Sequence, residues 1–233
     1  MVAVFKRELK SYFTTPVGFI ILAAFYFFLG LYFEMIYSYG SPDVPYVINV
    51  MYSIAIFATP IITMRLLSED RRQKVDQVLF TSPVTITGVV MGKFLAALAL
   101  YAIAFAPTVI FEIIVASYVS VNLLTFLYSL LGALLLGAAL IAIGMFISSL
   151  TESPALSAIL SLVINIVVLY MGSFASMVKS SFFTKVFESL AFLTVFENFS
   201  TDIFSVPDVV YFLSITVAFI FLSVRSLEKR RWA

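Results

Sequence analysis

The amino-acid sequence predicts an all-α polytopic membrane protein with six transmembrane helices and both termini in the cytoplasm. Of its 233 residues, 62% are hydrophobic and only 12% are charged, and the mean hydropathy is +1.10. Soluble domains carry about 25% charged residues. Most of the charged residues lie between long uncharged runs, and a helix of roughly 20 apolar residues suffices to cross a bilayer. We therefore expect one transmembrane domain, 1–233, in the cell membrane of a prokaryote.

Several function classes are disfavoured by composition. The sequence has no cysteine and no histidine, which removes disulfides, thiol nucleophiles, imidazole bases and the commonest zinc ligands. We expect no catalytic residue and no metal site. The Lys and Arg residues cluster by loop instead of forming one basic face, which argues against a nucleic-acid partner. The segment Gly88–Phe94, GVVMGKF, departs from the phosphate-binding loop in its glycine spacing and its last residue, so we expect no ATP site of that kind.

The first 15 residues predict an amphipathic interfacial helix. Apolar residues recur at helical spacing, and basic residues take the opposite face; such a helix lies in the membrane interface, against lipid headgroups. A signal peptide is the alternative, disfavoured because no A-x-A-like site follows the apolar run. The interfacial residues that we predict are Phe5, Lys6, Arg7, Leu9, Tyr12 and Phe13.

Uncharged runs predict the six spans, and proline with small polar residues marks helix starts at Thr15-Pro16 and Ser153-Pro154. Residues 113–151 carry no charge and are too many for one crossing, so we place a break at Ser117–Asn122. Thr59-Pro60 predicts a kink in the second span. The predicted spans are 16–38, 44–66, 87–113, 123–149, 154–177 and 207–226. The stripe Ala133, Gly137, Ile141, Gly144, Ser148 in the fourth span is typical of close helix packing.

A charged segment, 68–83, separates the second and third spans. Charges this dense cannot lie in hydrocarbon, so the segment must lie in water at one membrane face. Cytoplasmic loops collect Lys and Arg. With both termini inside, 12 of the 14 Lys and Arg residues lie on the inner side, and only Lys179 and Lys185 lie outside. We therefore place this segment in the cytoplasm, where an intracellular partner can bind it.

Ionisable residues bracket the spans and avoid their centres. We expect Lys93 to snorkel to water at the inner end of the third span, and Glu112 to lie at its outer end. A proton- or sodium-coupled carrier usually has a carboxylate or a broken helix near the midplane. A secondary carrier or a channel is therefore the third choice among the functions considered.

The stretch 180–206 predicts short amphipathic outer helices rich in phenylalanine. These helices could admit a lipid-like cargo or bind an extracytoplasmic auxiliary subunit. Anchoring of the aromatic side chains in the outer lipid interface is the simpler interpretation, and we favour it.

Three segments resemble a known family: FKRELKSYFTTP (Phe5–Pro16), the long segment Pro60–Ala97, and FLTVFENFSTDIFSVPDVVYFLS (Phe192–Ser214) with the terminal EKRRW. They are similar to the membrane (permease) subunit of type-2 ABC exporters, in particular to the small gliding-motility-associated and copper-site-maturation permeases. The chain departs from that pattern at Lys74-Val75, where the family often has Gly-Thr, and at Thr201-Asp202, where it often has Arg-Gly.

The resemblance implies that the membrane-spanning part and the ATPase are separate subunits. Two permeases, as identical copies or paralogues, pair in the membrane, and each inserts a coupling helix into a cleft on a cytoplasmic ABC ATPase subunit. ATP and Mg²⁺ belong to that ATPase, and this chain binds no cofactor. The implied coupling residues are Glu69, Asp70, Arg71, Arg72, Val78, Leu79 and Phe80. Each charge has the alternative of being a solvated loop residue or a headgroup contact.

The resemblance also implies that the second and fifth spans line the translocation path and help form the dimer interface. The residues concerned are Met51, Tyr52, Phe57, Ser157, Ser161 and Asn165. Hydrogen bonds of the three polar residues across the dimer and within one bundle are equally consistent with the sequence. The leading hypothesis is an ATP-driven exporter subunit. The alternative is a membrane mechanotransmitter that passes ATPase motion to an outer partner without transport.

Overall fold

The computed structural model describes residues 1–40, 43–73, 85–172, 191–200 and 205–231. Every regular element in these ranges is a helix. The helices are α1 (Val2–Thr14), α2 (Pro16–Ser38), α3 (Val44–Val50), α4 (Tyr52–Thr63), α5 (Ser68–Arg72), α6 (Ile86–Ala116), α7 (Leu123–Leu150), α8 (Pro154–Leu169), α9 (Phe192–Glu197), a short 3₁₀ helix (Asn198–Ser200) and α10 (Val206–Arg231).

Some predictions fall on residues outside these ranges. They concern most of the charged segment 68–83, the end of the predicted fifth span and much of the outer segment 180–206. The coupling residues among them are Val78, Leu79 and Phe80. Their predicted roles remain predictions from the sequence.

The expectation of a polytopic all-helical membrane protein is confirmed. Among the described residues, α2, α6, α7 and α10 are each long and apolar enough to cross a membrane. The pair formed by α3 and the stretch Tyr52–Arg72 is bent by 48° and would be a fifth crossing if it acts as one span. Helix α8 is apolar but shorter. The total of six spans therefore stays a prediction.

The helices begin where side chains can satisfy their first backbone amides. Asp43 accepts a hydrogen bond from Tyr46 N at the start of α3, and Thr85 accepts one from Gly88 N at the start of α6. Ser153 accepts one from Leu156 N at the start of α8, which has Pro154 in its first turn. A proline there loses no helical hydrogen bond, because its missing amide has no intrahelical partner. Local sequence thus fixes the helix starts.

Helix α7 is the centre of the bundle. Of its most apolar window, 72% is buried, against 17% for α10, and it packs on α4, α6, α8 and α10. A Cβ atom at Gly137 would overlap the ring of Tyr101, and one at Gly144 would overlap the side chain of Thr63. The small residues of α7 therefore serve close packing inside this chain.

The bend in the second apolar stretch lies at the break around Met51, between α3 and α4. This bend precedes the kink that the sequence predicts at Thr59-Pro60, and that kink stays a prediction, with Pro60 lying within α4. The hydroxyl of Thr59 donates to Ala55 O at 2.7 Å. Such local bonds help to satisfy carbonyls near a proline in an apolar helix.

At one end of the bundle, called here the aromatic end, buried phenylalanine rings pack against aromatic rings of neighbouring helices. Phe192, Phe196 and Phe199 are 2%, 1% and 3% exposed. The ring of Phe192 packs edge-on against Phe212 of α10 at 5.5 Å between centroids, and Phe196 meets Tyr52 at 6.3 Å. The expectation that the outer phenylalanines anchor in lipid is therefore wrong for these three, which pack into the protein.

Candidate functional site

At the opposite end, called here the charged end, three helices meet at one buried lysine. Lys93 belongs to the second turn of α6, and its side chain is 1% exposed. Its Nζ lies 2.8 Å from Asp70 Oδ2 on α5 and 3.2 Å from Glu8 Oε1 on α1. We call Glu8, Asp70 and Lys93 the ion cluster. The expectation that Lys93 snorkels to water is wrong, because two carboxylates from other helices reach it inside the protein.

The carboxylate form of Glu8 is stabilised by Lys93 and Arg7. Burial alone would raise the pKa of the Glu8 carboxyl, but Lys93 and Arg7 outweigh it, so that pKa is lowered. The Arg7 guanidinium donates to Glu8 Oε1 at 2.7 Å, and this bond raises the pKa of Arg7. A buried charge is tolerated when it is paired in this way. The cluster with Arg7 joins two cations to two carboxylates.

Helix α5 is also fixed to the end of α7. The Ser148 hydroxyl oxygen accepts hydrogen bonds from Leu67 N at 3.1 Å and from Ser68 N at 3.0 Å. Two backbone amides at the start of α5 thus have a hydrogen-bond acceptor on another helix. Ser148 therefore takes the place of an N-cap side chain from the adjacent sequence.

A second tie joins α5 to the turn before α8. Arg71 donates to Leu150 O at 3.1 Å and forms an ion pair with Glu152 at 2.6 Å. Two of the four predicted coupling residues that the structure describes, Asp70 and Arg71, therefore bind inside the chain.

The other two, Glu69 and Arg72, lie at the surface. Arg72 has 60% of its side chain exposed and Glu69 has 29%, and the two are 3.9 Å apart. Gln73 donates to Glu69 Oε1 at 3.1 Å, and Arg65 lies 3.8 Å from the same carboxylate. The surface formed by α5 with the flanking Arg65 and Gln73 is therefore polar and carries more positive than negative charge.

An open cavity of about 350 Å³ lies between α1 and the α4–α5 region. Both signs of charge line it: Arg7, Arg65 and Lys93 with Glu8, Glu69 and Asp70. Tyr12 borders the cavity and donates its hydroxyl to Ile62 O at 2.9 Å, and burial raises the pKa of that hydroxyl. Among the described residues, no group of three or more His, Cys, Asp or Glu side chains could hold a metal ion.

The predicted interfacial residues of α1 divide between two environments. Tyr12 is buried, Phe5 and Leu9 are half-buried, and Lys6, Arg7 and Phe13 are exposed. Helix α1 packs against α6 and α2. A Cβ atom at Gly92 of α6 would lie 3.0 Å from Met1 O and from Val4 Cβ, so α1 approaches α6 closely beside Lys93.

The polar residues predicted for the translocation path form a buried stripe on α8. Ser157, Ser161 and Asn165 are 0% exposed, and α8 packs against α4 and α7. Asn165 Nδ2 donates to Thr59 Oγ1 of α4 at 3.0 Å, a bond inside one bundle. The Ser157 and Ser161 hydroxyls and Asn165 Oδ1 have no hydrogen-bond partner among the described atoms.

The apolar residues predicted for the path are dispersed. Met51 is 0% exposed, Tyr52 is half-buried, and Phe57 is 57% exposed. Phe57 lies in an apolar groove of about 460 Å³ between α2 and α4, with Ile20, Phe28 and Ile61. The structure therefore does not bring Phe57 together with the α8 stripe.

Sequence reasoning missed three contributors to the charged end: Glu8, Ser148 and Glu152. Glu8 is the one acidic residue in the first 15 residues, and a lone carboxylate among cations is a signal for an internal ion pair. Glu152 is likewise a lone charge in a long uncharged run. Ser148 gives no comparable signal, since serine is common in apolar helices that pack closely.

Most of the chain is similar to a known protein family. The model described as "ABC-2 family transporter protein" matches residues 36–225. The match covers most of the chain and includes Asp70 and Lys93, whereas Glu8 and the rest of α1 precede it. A comparison with curated proteins finds no match.

Proposed function

Since the chain belongs to the ABC-2 family of transporter proteins and is the membrane subunit of an ABC transporter, we propose that it works as an exporter driven by a separate cytoplasmic ATPase. In this proposal α5 is the coupling helix, and the charged end of the bundle lies in the cytoplasm. The family implies the ATPase partner and usually a pair of permeases. The observation that supports the coupling role is that Asp70 and Arg71 of α5 pair with residues of neighbouring elements, whereas Arg72 is exposed at the surface.

A coupling helix needs a firm attachment to the spans. Ties from α5 run to Lys93 on α6, to Ser148 on α7 and to Glu152 before α8. A displacement of α5 by a partner would therefore reach several spans at once, because packed helices transmit small movements without absorbing them.

A coupling helix also needs a free surface. Arg72 and Gln73 are exposed, and Arg65 has 44% of its side chain exposed. This basic surface is suited to an acidic rim on the ATPase, where complementary charge fixes orientation. In the same proposal Val78, Leu79 and Phe80 insert into an apolar groove of that partner, and a second permease pairs with this one in the membrane.

The polar stripe of α8 and the exposed Phe57 surface are our candidates for the substrate path and the dimer interface. Three buried polar atoms on α8 lack hydrogen-bond partners among the described residues, and such groups are costly in an apolar interior. A rearrangement that gives them partners, in a second copy or a polar part of the substrate, would recover that free energy.

The decisive experiment compares two surface ion pairs at the charged end. Glu69 and Arg72 are spaced i,i+3 on α5, and Arg225 and Glu228 are spaced i,i+3 on α10, 2.9 Å apart. The full-length chain would be purified with its ATPase and reconstituted in vesicles, with both members of one pair replaced by glutamine. We expect E69Q/R72Q to weaken ATPase binding at least about tenfold, equivalent to ~1.4 kcal/mol, and R225Q/E228Q to leave it within about twofold.

Equal effects of the two double substitutions on ATPase binding would contradict the coupling role of α5. ATP hydrolysis by the complex without ATP-dependent movement of any lipid or small-molecule cargo across the vesicle membrane would contradict export. That second outcome would favour the mechanotransmitter.

A further inference from the structure

The ion cluster is more than an anchor for α5, because it also reaches the interfacial helix. We propose that Lys93 is a positioning residue that ties α1 to α5, so that a displacement of the coupling helix moves the interfacial helix with it. This proposal rests on the proposed function of α5.

The tie depends on Lys93 because α1 packs mainly against other elements. Helix α1 contacts α6 and α2, and Lys93 projects from α6 between Glu8 and Asp70. Both carboxylates lie within 3.2 Å of one Nζ atom. Without the ammonium group, two negative side chains would face each other, and α1 and α5 would repel at this point.

The surroundings make this tie less sensitive to salt than an ion pair at the surface. Lys93 is 1% exposed, and the Glu8 and Asp70 side chains are 17% and 18% exposed. Charges removed from water are screened much less than surface charges. Beside the lysine, Gly92 leaves no side chain between the two backbones, and a Cβ there would lie 3.0 Å from Met1 O. Helix α1 therefore lies close against the element that holds the cluster.

The alternative is that the cluster only stabilises the fold. Buried ion pairs are often replaceable by apolar residues without loss of stability, so a purely structural cluster should be dispensable for motion once the charges are removed together. A cluster that positions α1 should be required for that motion even when all three charges are removed together. The two roles differ in whether α1 still follows α5 after the tie is cut.

The test measures that movement directly. The natural chain has no cysteine, so introduced cysteines carry spin labels at known sites. One labelled pair, K10C/E228C, reports α1 against α10, and another, Q73C/E228C, reports the end of α5 against α10. The full-length chain in complex with its ATPase, in lipid nanodiscs, would be measured by pulsed electron paramagnetic resonance with and without ATP and vanadate.

With the natural cluster we expect both label distances to change on nucleotide trapping. Glu8→Gln cuts only the arm to α1 and leaves Lys93 paired with Asp70. In that variant we expect the Q73C/E228C change to persist and the K10C/E228C change to be lost. The charge-free combination E8Q/D70N/K93M should behave in the same way and serves if the single change impairs folding.

Persistence of the α1 change in both variants would overturn the positioning role while leaving the coupling role of α5 intact. Absence of a Q73C/E228C change with the natural cluster would instead overturn the proposed function, and the inference with it.

Discussion

The two ends of the bundle are closed by different kinds of contact. At the charged end, Lys93 joins carboxylates from two other helices at 2.8 and 3.2 Å. At the aromatic end, Phe192, Phe196 and Phe199 pack with ring centroids 5.5 to 6.3 Å from their partners. Ion pairs depend on every member being present and charged, whereas ring packing depends on shape.

The difference suggests a division of mechanical roles. The ion cluster links α1 to α5, two helices that otherwise share little surface, so it can carry a displacement between them. Interlocked aromatic rings fill volume and resist a change of shape. We therefore expect the aromatic end to behave as a fixed closure and the charged end as the moving part.

Removing the lysine should produce the largest effect at the charged end. Lys93→Met leaves the partly buried Glu8 and Asp70 without their shared cation, and since breaking a fully buried pair costs about 3–5 kcal/mol, we expect a loss of up to that size. Unfolding in mixed micelles would measure the loss. Lys229→Met is the matched control, because that lysine is exposed at the same end, and surface changes usually stay within ±0.5 kcal/mol. Equal stability of the two variants would show that the cluster contributes little.

Adding one methyl group should test the aromatic end. A Cβ at Gly132 of α7 would lie 2.7 Å from both Cβ and Cγ of Phe199, atoms that cannot move without the 3₁₀ helix. We expect Gly132→Ala to destabilise by about 1–3 kcal/mol through overpacking. Gly30→Ala in α2 is the control, since a Cβ there meets no atom of the described residues within 4 Å, and it should be neutral or stabilising by about 0.5–1 kcal/mol. A neutral Gly132→Ala would mean that the closure is loose.

The smallest expected effect is a response to acid pH, which we expect at the charged end and not at the aromatic end. The folded-state pKa of Glu8 is lowered from its ordinary value of 4.5, so its stabilising contribution is complete above that value and is lost as the pH falls through the lower folded pKa. The Asp70–Lys93 pair at 2.8 Å limits the loss. Hydrogen exchange should quicken in residues 2–14 below pH 4.5, while 192–200 stay unchanged. The glutamine variant at position 8 should abolish this response, and a uniform response along the chain would contradict it.

Local sequence was sufficient to predict the class of protein and several of the helix boundaries. The start of α2 at Pro16 and that of α8 at Pro154 follow from residues adjacent in the chain. The turn between α6 and α7 falls within the predicted break at 117–122. Of the charged segment that the sequence predicts to lie in water, Arg72 is at the surface.

Partners within the site could not be predicted in the same way. Asp70 and Arg72 are both charged residues of one five-residue helix, yet the first turns inward to Lys93 and the second outward. The Asn165–Thr59 bond joins residues 106 positions apart, and neither residue carries a local signal that selects the other.

The sequence alone determined that this chain is a polytopic bundle of membrane helices. It could do so because hydrocarbon excludes unpaired backbone and charge, a constraint that acts on each segment separately. Only the tertiary structure decided that Lys93 is buried, that Ser148 caps α5, and that Phe199 packs over Gly132. Those contacts depend on which faces meet when helices pack, and that choice is made by the whole bundle at once.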